Sequence, residues 1–307
     1  MEGHSYRTDW YIICNPMSGG GIKPNRIQLI KNLLNRNSLP YRFTCTQYAH
    51  HEKSLVQAAI ERGYVNFICI GGDGTIHHMV NGIMSQNHTS TNHIKIAVIP
   101  TGTGNDWVRN YNIPRSPEKA VQVILDGTVI FQDIGKITLT DYNIDVYFNN
   151  AAGIGFDAFV VKNSILYKNW GTLAYLLSAL KSFKSYMVSN ISYSLDSCKS
   201  ESELFLMSIG ICRYSGGGMQ LTNFKNHKSG LFDITTIKTI RLIRILSQII
   251  KLYNGRIDQV KETHCSHAKH VLIDKNNSCF IQADGELVGK GKAEIKLITK
   301  AIGFIIP

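Results

Sequence analysis

Apolar residues recur along this chain with two periods, and the period changes near position 128. Before it, short unbroken apolar runs alternate with segments in which apolar residues return every three or four positions. The runs at 10–14, 41–46, 66–70 and 94–99 predict strands buried on both faces. The segments at 24–36, 51–62, 75–84 and 117–125 predict helices. Strand and helix in strict turn predict a parallel sheet with helices on both faces, an α/β domain. After position 128 short β-like runs dominate, at 129–138, 145–149, 189–195, 203–212, 231–237, 270–274, 279–283 and 294–297, with glycine turns between them. They predict a second, antiparallel all-β domain. Helical segments at 170–186 and 241–253 interrupt it, and the apolar end, 301–307, is expected to return to the first domain. The expected domains are therefore 8–129 with 299–307, and 130–298.

Three of the first-domain strands end in glycine loops. The run ending at Ile70 breaks into Gly71-Gly72-Asp73-Gly74-Thr75. The strand at 94–99 runs into Pro100-Thr101-Gly102-Thr103-Gly104-Asn105-Asp106, and the strand at 10–14 into Asn15-Pro16-Met17-Ser18-Gly19-Gly20-Gly21. Parallel strands deliver such loops to one sheet edge, where ligands bind. Glycine lets backbone N–H groups approach a phosphate with no Cβ in the way. Asp73 adds a carboxylate to the same turn, which repels a phosphate unless a divalent cation lies between them. The alternative is a strand–turn–helix connection with no ligand. Neither G-x-x-x-x-G-K-[ST] nor G-x-G-x-x-G after a first strand is present, so P-loop and dinucleotide Rossmann sites are excluded.

Composition narrows the class. The 307 residues are 44% hydrophobic with a mean hydropathy of −0.07, as in globular proteins with a full core. No run approaches the roughly eighteen apolar residues of a spanning helix, and 1–10 lacks an apolar leader core. Seven dispersed cysteines without C-x-x-C suit reduced thiols and a cytoplasmic setting. A net charge of +11 asks for an anionic partner or is simply a basic surface. The aromatic–basic interleaving of RNA modules is missing, which argues against nucleic acid and ranks an anionic membrane surface first.

Taken together, Asn15-Pro16-x-Ser18-Gly19-Gly20, Gly71-Gly72-Asp73-Gly74-Thr75 and Gly102-Thr103-Gly104-Asn105-Asp106 resemble the nucleotide loops of the diacylglycerol kinase catalytic-domain family, which includes sphingosine and ceramide kinases. Asn150-x-x-Gly153-x-Gly155-Phe156-Asp157, Gly216-Gly217-Gly218-Met219 and Ala283-Asp284-Gly285-Glu286 extend the match over nearly the whole chain. Length and motif order look most like the bacterial diacylglycerol and lipid kinase branch. The resemblance implies an N-terminal domain like that of NAD kinases and phosphofructokinases, a C-terminal β-sandwich, and ATP between them. It places Asn15, Pro16, Ser18, Gly19, Thr46, Gly71, Gly72, Asp73, Gly74, Thr75 and Thr103 at the nucleotide. It places Asp73, Asp106 and Asp133 in a carboxylate–water–Mg²⁺ network and makes Glu286 the general base. Read without the family, Glu286 follows an Asp-Gly pair and is more readily an exposed hairpin glutamate than a base.

One departure concerns a structural Mg²⁺ site that the family builds from an Asp-Gly-x-Leu/Phe-Asp run. Here the run is Lys228-Ser229-Gly230-Leu231-Phe232-Asp233. Ser229 replaces the carboxylate, so the site expected near Asn226, Ser229 and Leu231 is weakened. Asn223 stands where a proline is usual. The cluster His264-Cys265-Ser266-His267-Ala268-Lys269-His270 fits no zinc module, since strand alternation splits it between two faces. In the helical segment 241–253, Arg241, Arg244 and Lys251 share one face among aliphatic residues. That pattern suits either peripheral docking on an anionic bilayer or a core-packed helix with a solvated face. The leading expectation is an ATP- and Mg²⁺-dependent kinase of diacylglycerol or a similar lipid alcohol, peripheral to the membrane, with a homodimer compatible. An NAD kinase and an inactive lipid- or nucleotide-binding regulator are the alternatives.

Overall fold

A computed structural model describes residues 6–164, 181–183, 185–223, 230–239, 242–275 and 279–307. The expected helix at 170–186 falls mostly outside them, as do Asn226, Ser229 and Arg241. The chain divides into two compact units, Met1–Gln132 with Lys300–Pro307, and Asp133–Thr299. Both lie within a few residues of the boundaries expected from the change of period.

In the first unit the strands are β1 (Arg7–Cys14), β2 (Tyr41–Cys45), β3 (Tyr64–Gly71) and β4 (Lys95–Pro100). The helices are α1 (Pro24–Arg36), α2 (His51–Glu61), α3 (Asp73–Met84), α4 (Asp106–Asn110) and α5 (Pro117–Asp126). The four strands pair in parallel in the order β2-β1-β3-β4. Side chains alternate across the sheet. Ile12, Cys14, Ile68, Ile70 and Ile99 share a cluster with Ile30 and Leu34 of α1 and Ala120, Val121 and Ile124 of α5. Ile13, Phe67 and Cys69, at the intervening positions, are fully buried, as are Val56 of α2 and Ile76, Met79 and Val80 of α3. Both faces are therefore covered, which is why these strands read as continuous apolar runs. Local signals set helix ends. Pro24 and Pro117 each stand in the first turn of their helix, where the missing N–H costs nothing.

The second unit is antiparallel. Its strands are β5 (Thr128–Leu139, entering from the first unit), β6 (Ile144–Phe148), β7 (Ala151–Gly155), β8 (Ser189–Leu195), β9 (Cys198–Gly210), β10 (Phe232–Lys238), β11 (Thr263–Ala268), β12 (His270–Lys275), β13 (Phe280–Ala283), β14 (Glu286–Lys290) and β15 (Ala293–Ile306). The path β14-β13-β7-β9-β8-β12-β15 carries most of them. The N-terminal half of β9 pairs β8, while its C-terminal half lies between β7 and β10. Helix α6 (Phe156–Ser164) follows β7, and a longer helix, Leu242–Tyr253, follows β10. The Phe148 and Phe232 rings stack at 5.7 Å, and Gly135, paired with Phe148 across β5–β6, leaves room for that ring.

The structure departs from the sequence reading in several places, and α6, β11 and β14 were not among the expected elements. Positions 151–155, not expected as a strand, form β7, buried throughout. Ala-Ala-Gly-Ile-Gly has no large alternating side chains to mark it as a strand. Strand β9 begins at Cys198, because the polar Lys-Ser-Glu-Ser stretch pairs with β8. The pieces expected at 294–297 and 301–307 are one strand, β15, whose end pairs in parallel with β4 through Gly303 and Phe304. Helix α4 was not expected. In the histidine run two side chains are ion-paired. His267 pairs with Asp233 at 3.0 Å and His270 with Glu294 at 2.9 Å, and no metal-holding cluster occurs among the described residues.

Candidate active site

In the first unit, the loops that follow β1, β3 and β4 leave the C-terminal ends of adjacent parallel strands and touch one another. Gly19 has φ +64, and a Cβ there would lie 2.2 Å from the Thr101 carbonyl oxygen. Gly72 and Gly102 pack so closely that a Cβ on Gly102 would lie 2.6 Å from the Gly72 Cα. The Thr101 N–H donates to the Gly71 carbonyl at 2.8 Å. Three glycine loops thus meet backbone to backbone, as the sequence reading anticipated. The Thr46 N–H, after β2, donates to the Cys14 carbonyl at 2.9 Å and joins the same edge. Pro16 and Ser18 shape the first loop through their carbonyls, which accept from Ile22 and Gly21. Gly74 and Thr75 lie in the first turn of α3, and Thr103 is exposed at the third loop.

Asn15 ties the first two loops together. Its Nδ2 donates to Glu52 Oε1 at 3.1 Å and to Thr75 Oγ1 at 3.2 Å, while its Oδ1 accepts the Met17 N–H at 3.0 Å. Glu52 and Thr75 are both buried. Burial pushes the Glu52 carboxyl above its ordinary range, with the Asn15 hydrogen bond opposing the shift. The sequence reading did not include Glu52.

Asp73 opens α3 and reaches across to α4. Its Oδ2 accepts the Asp106 N–H at 2.9 Å and its Oδ1 the Trp107 N–H at 3.2 Å. Asn105, at the α4 N-cap, is left-handed and makes no side-chain cap, so Asp73 caps this helix from a distance. Asp73 and Asp106 are joined through the Asp106 backbone N–H. Each offers carboxylate oxygen, the donor type of a hard cation. No group of three or more His, Cys, Asp or Glu that could hold a metal occurs among the described residues.

The second unit carries the other two expected acids. Asp133, in β5, accepts the Gly230 N–H at 3.1 Å. Glu286 is the first residue of β14 and pairs with Ala283 across a two-residue turn. Asp284 and Gly285 in that turn have φ +50 and +83, the pattern of a type I′ hairpin. Two networks fix the hairpin. Asp284 accepts the N–H groups of Asn149, Asn150 and Ala151 at 2.9 to 3.0 Å. Asp157 accepts from Gln282 Nε2 at 2.7 Å, and Gln282 Oε1 accepts the Gly285 N–H at 2.8 Å. A Cβ at Gly153 would strike Asp157 and Gln282, so this motif glycine leaves space for the network. Leu231 lies just before β10; its expected partners Asn226 and Ser229 are outside the described residues. Arg244 pairs with Glu262 at 3.1 Å, and Lys251 Nζ donates to the Gln259 carbonyl at 3.1 Å.

Comparison with known families agrees with this layout. The diacylglycerol kinase catalytic domain matches residues 9–137, and the YegS C-terminal NAD kinase beta sandwich-like domain matches residues 150–306. The chain belongs to the diacylglycerol kinase catalytic-domain family. Family members similar to it include the diacylglycerol kinase of Bacillus subtilis (strain 168), 26% identical over 96% of this chain and 95% of the relative. The diacylglycerol kinase of Mycobacterium tuberculosis (strain ATCC 25618 / H37Rv) is 27% identical over 84% of this chain and 82% of its own length. The crystal structure of a diacylglycerol kinase from Bacillus anthracis str. Sterne has the same fold, with a TM-score of 0.71 over 97% of each chain at 18% identity. The architecture is an α/β catalytic domain followed by a β-sandwich, and the enzyme is a lipid kinase.

Proposed function

We propose that this lipid kinase transfers the γ-phosphoryl group of ATP to the hydroxyl of diacylglycerol or a similar lipid alcohol. The observation that carries the reading is the convergence of three glycine loops at one sheet edge, with Asp73 at their centre. Backbone N–H groups of residues 18–21 and 71–75 suit the phosphates, and the α3 N-terminus adds a favourable dipole. Asn15 and Thr75 hold the first two loops in register. Asp73 and Asp106 would hold Mg²⁺, which when bound supplies positive charge to the transferring group. Glu286 takes the lipid hydroxyl proton as the new O–P bond forms and the bond to the β-phosphate oxygen breaks, releasing ADP. Asp284, Gln282 and Asp157 fix the hairpin that bears it.

The test is transfer of radiolabelled phosphate from ATP to a panel of lipid alcohols, with NAD as control. Label in a phosphorylated lipid is expected, and label in NAD alone would overturn the lipid reading in favour of an NAD kinase. Glu286→Gln should lower turnover by roughly two to four orders of magnitude while ATP affinity stays near wild type, since a base acts in the transition state. Near-wild-type turnover in this variant would remove Glu286 from the base role.

A further inference from the structure

The helix Leu242–Tyr253 is mounted the opposite way round from an ordinary surface helix. Its basic side chains turn toward their own unit, Arg244 to Glu262 and Lys251 to the Gln259 carbonyl. Leu252 packs on Phe205, Leu206, Ile237, Ile257 and Val260. An apolar edge is left facing outward, with Ile250 69% and Tyr253 46% exposed. These two residues are three apart and share one helical face. Met187, 83% exposed, belongs to the same region, because its neighbours Tyr186 and Val188 pack on the cluster that holds Leu252. Exposed cations Lys238, Arg256 and Lys261 lie on segments that border the helix, with Asp258 exposed among them. Lys238 donates its backbone N–H to the Glu262 carbonyl, Arg256 donates its own to the Lys251 carbonyl, and Lys261 adjoins Glu262.

A surface helix normally shows polar residues to water and hides apolar ones. Here ion pairing and core contact hold the reverse orientation in place. An apolar edge with more exposed cations than acids on the bordering segments matches the boundary of an anionic bilayer, where aliphatic and aromatic side chains enter the acyl region and cations meet phosphates. The chain carries a net charge of +11, and none of its described helices is long and apolar enough to cross a membrane. A kinase of lipids still has to reach a substrate held in a lipid phase.

We propose that this helix docks the enzyme on an anionic lipid surface by inserting Ile250 and Tyr253, while Arg244 and Lys251 brace the helix from behind. The choice of occupant rests on the lipid-kinase reading above.

The test uses the full chain and the double variant Ile250→Ser, Tyr253→Ser. Flotation is measured with vesicles of phosphatidylcholine alone and of phosphatidylcholine mixed with phosphatidylglycerol. Wild type should partition onto the mixed vesicles, and the double variant should lose this about tenfold or more. Its turnover of long-chain diacylglycerol presented in those vesicles should fall in parallel. Turnover of a soluble short-chain diacylglycerol and the melting temperature should stay unchanged, because both side chains are exposed. Equal flotation of wild type and variant would overturn the proposal. So would a wild-type dimer that the double variant converts to monomer with flotation intact, since a second copy would then cover this face. If flotation falls in the variant yet neither protein phosphorylates any lipid, the docking surface stands and the functional reading falls.

Discussion

Glu52 is a carboxylate held almost wholly out of water, 2% exposed, with the Asn15 amide as a donor. Burial raises its pKa above 4.5, its ordinary value. A raised carboxyl contributes stability below the unfolded pKa and loses it as pH rises through the folded value. Between those two values wild type should therefore lose stability with rising pH, and Glu52→Gln, which cannot ionise, should not. Melting temperatures of both proteins across pH 4 to 8 check this, and parallel profiles would refute it. Asp284 matters through its hydrogen bonds, because three N–H groups converge on its carboxylate. Asp284→Ala should cost about 3 kcal/mol or more, since a buried donor left unpaired costs roughly 1–3 kcal/mol. Glu286→Gln, two residues on, should leave the urea midpoint near wild type. Asn15, Gly19 and Asp73 were legible because glycine and carboxylate cluster in their motifs. Glu52 was not, since an acid in a first helical turn is ordinary. Asp284 was read only within its motif, as half of an Asp-Gly turn, because the backbone it holds lies 133 to 135 residues away.

Among the elements, α4 shows how a candidate catalytic acid is also a structural part. Five residues are too few for a helix to persist on propensity alone. Its first N–H groups are satisfied by Asp73 from another element. Removing a cap typically costs about 0.5–2 kcal/mol. Asp73→Ala should therefore lower the urea midpoint as well as abolish transfer. An inactive Asp73→Ala with wild-type stability would mean that the carboxylate serves chemistry alone. This dual role also explains why α4 escaped the sequence reading, since no local residue supplies its cap. Strand β7 escaped for a different reason. Its small residues are buried between β13 and β9, where long-range pairing rather than side-chain pattern makes the strand. The parallel strands β1, β3 and β4 were legible because burial on both faces demands apolar residues at every position.

Across the whole chain, the first unit is completed by residues that follow the entire second one. Strand β15 brings Gly303 and Phe304 against Lys95 and Ile96 of β4. The change of period showed where the units divide, and the apolar run at the end hinted at the return, but only pairing shows what the return supports. Phe304 is fully buried, with its ring 4.7 Å from that of Trp107. Trp107 is the second residue of α4, its backbone N–H is held by Asp73, and its indole N–H donates to Gln132 at 2.8 Å. The end of the chain therefore packs beneath the helix whose start meets the candidate metal ligand. Phe304→Ala should cost about 3–5 kcal/mol, the usual range for a buried Phe emptied to Ala, a large share of a domain's roughly 5–15 kcal/mol. Because the cavity opens under Trp107, nucleotide affinity should fall as well. Phe304→Leu refills most of the volume and should recover much of both losses. Titration of ATP by calorimetry beside thermal melts of the two variants reads the two effects separately. If Phe304→Ala is destabilised while ATP affinity in its folded fraction equals wild type, the terminal strand supports the fold without tuning the site.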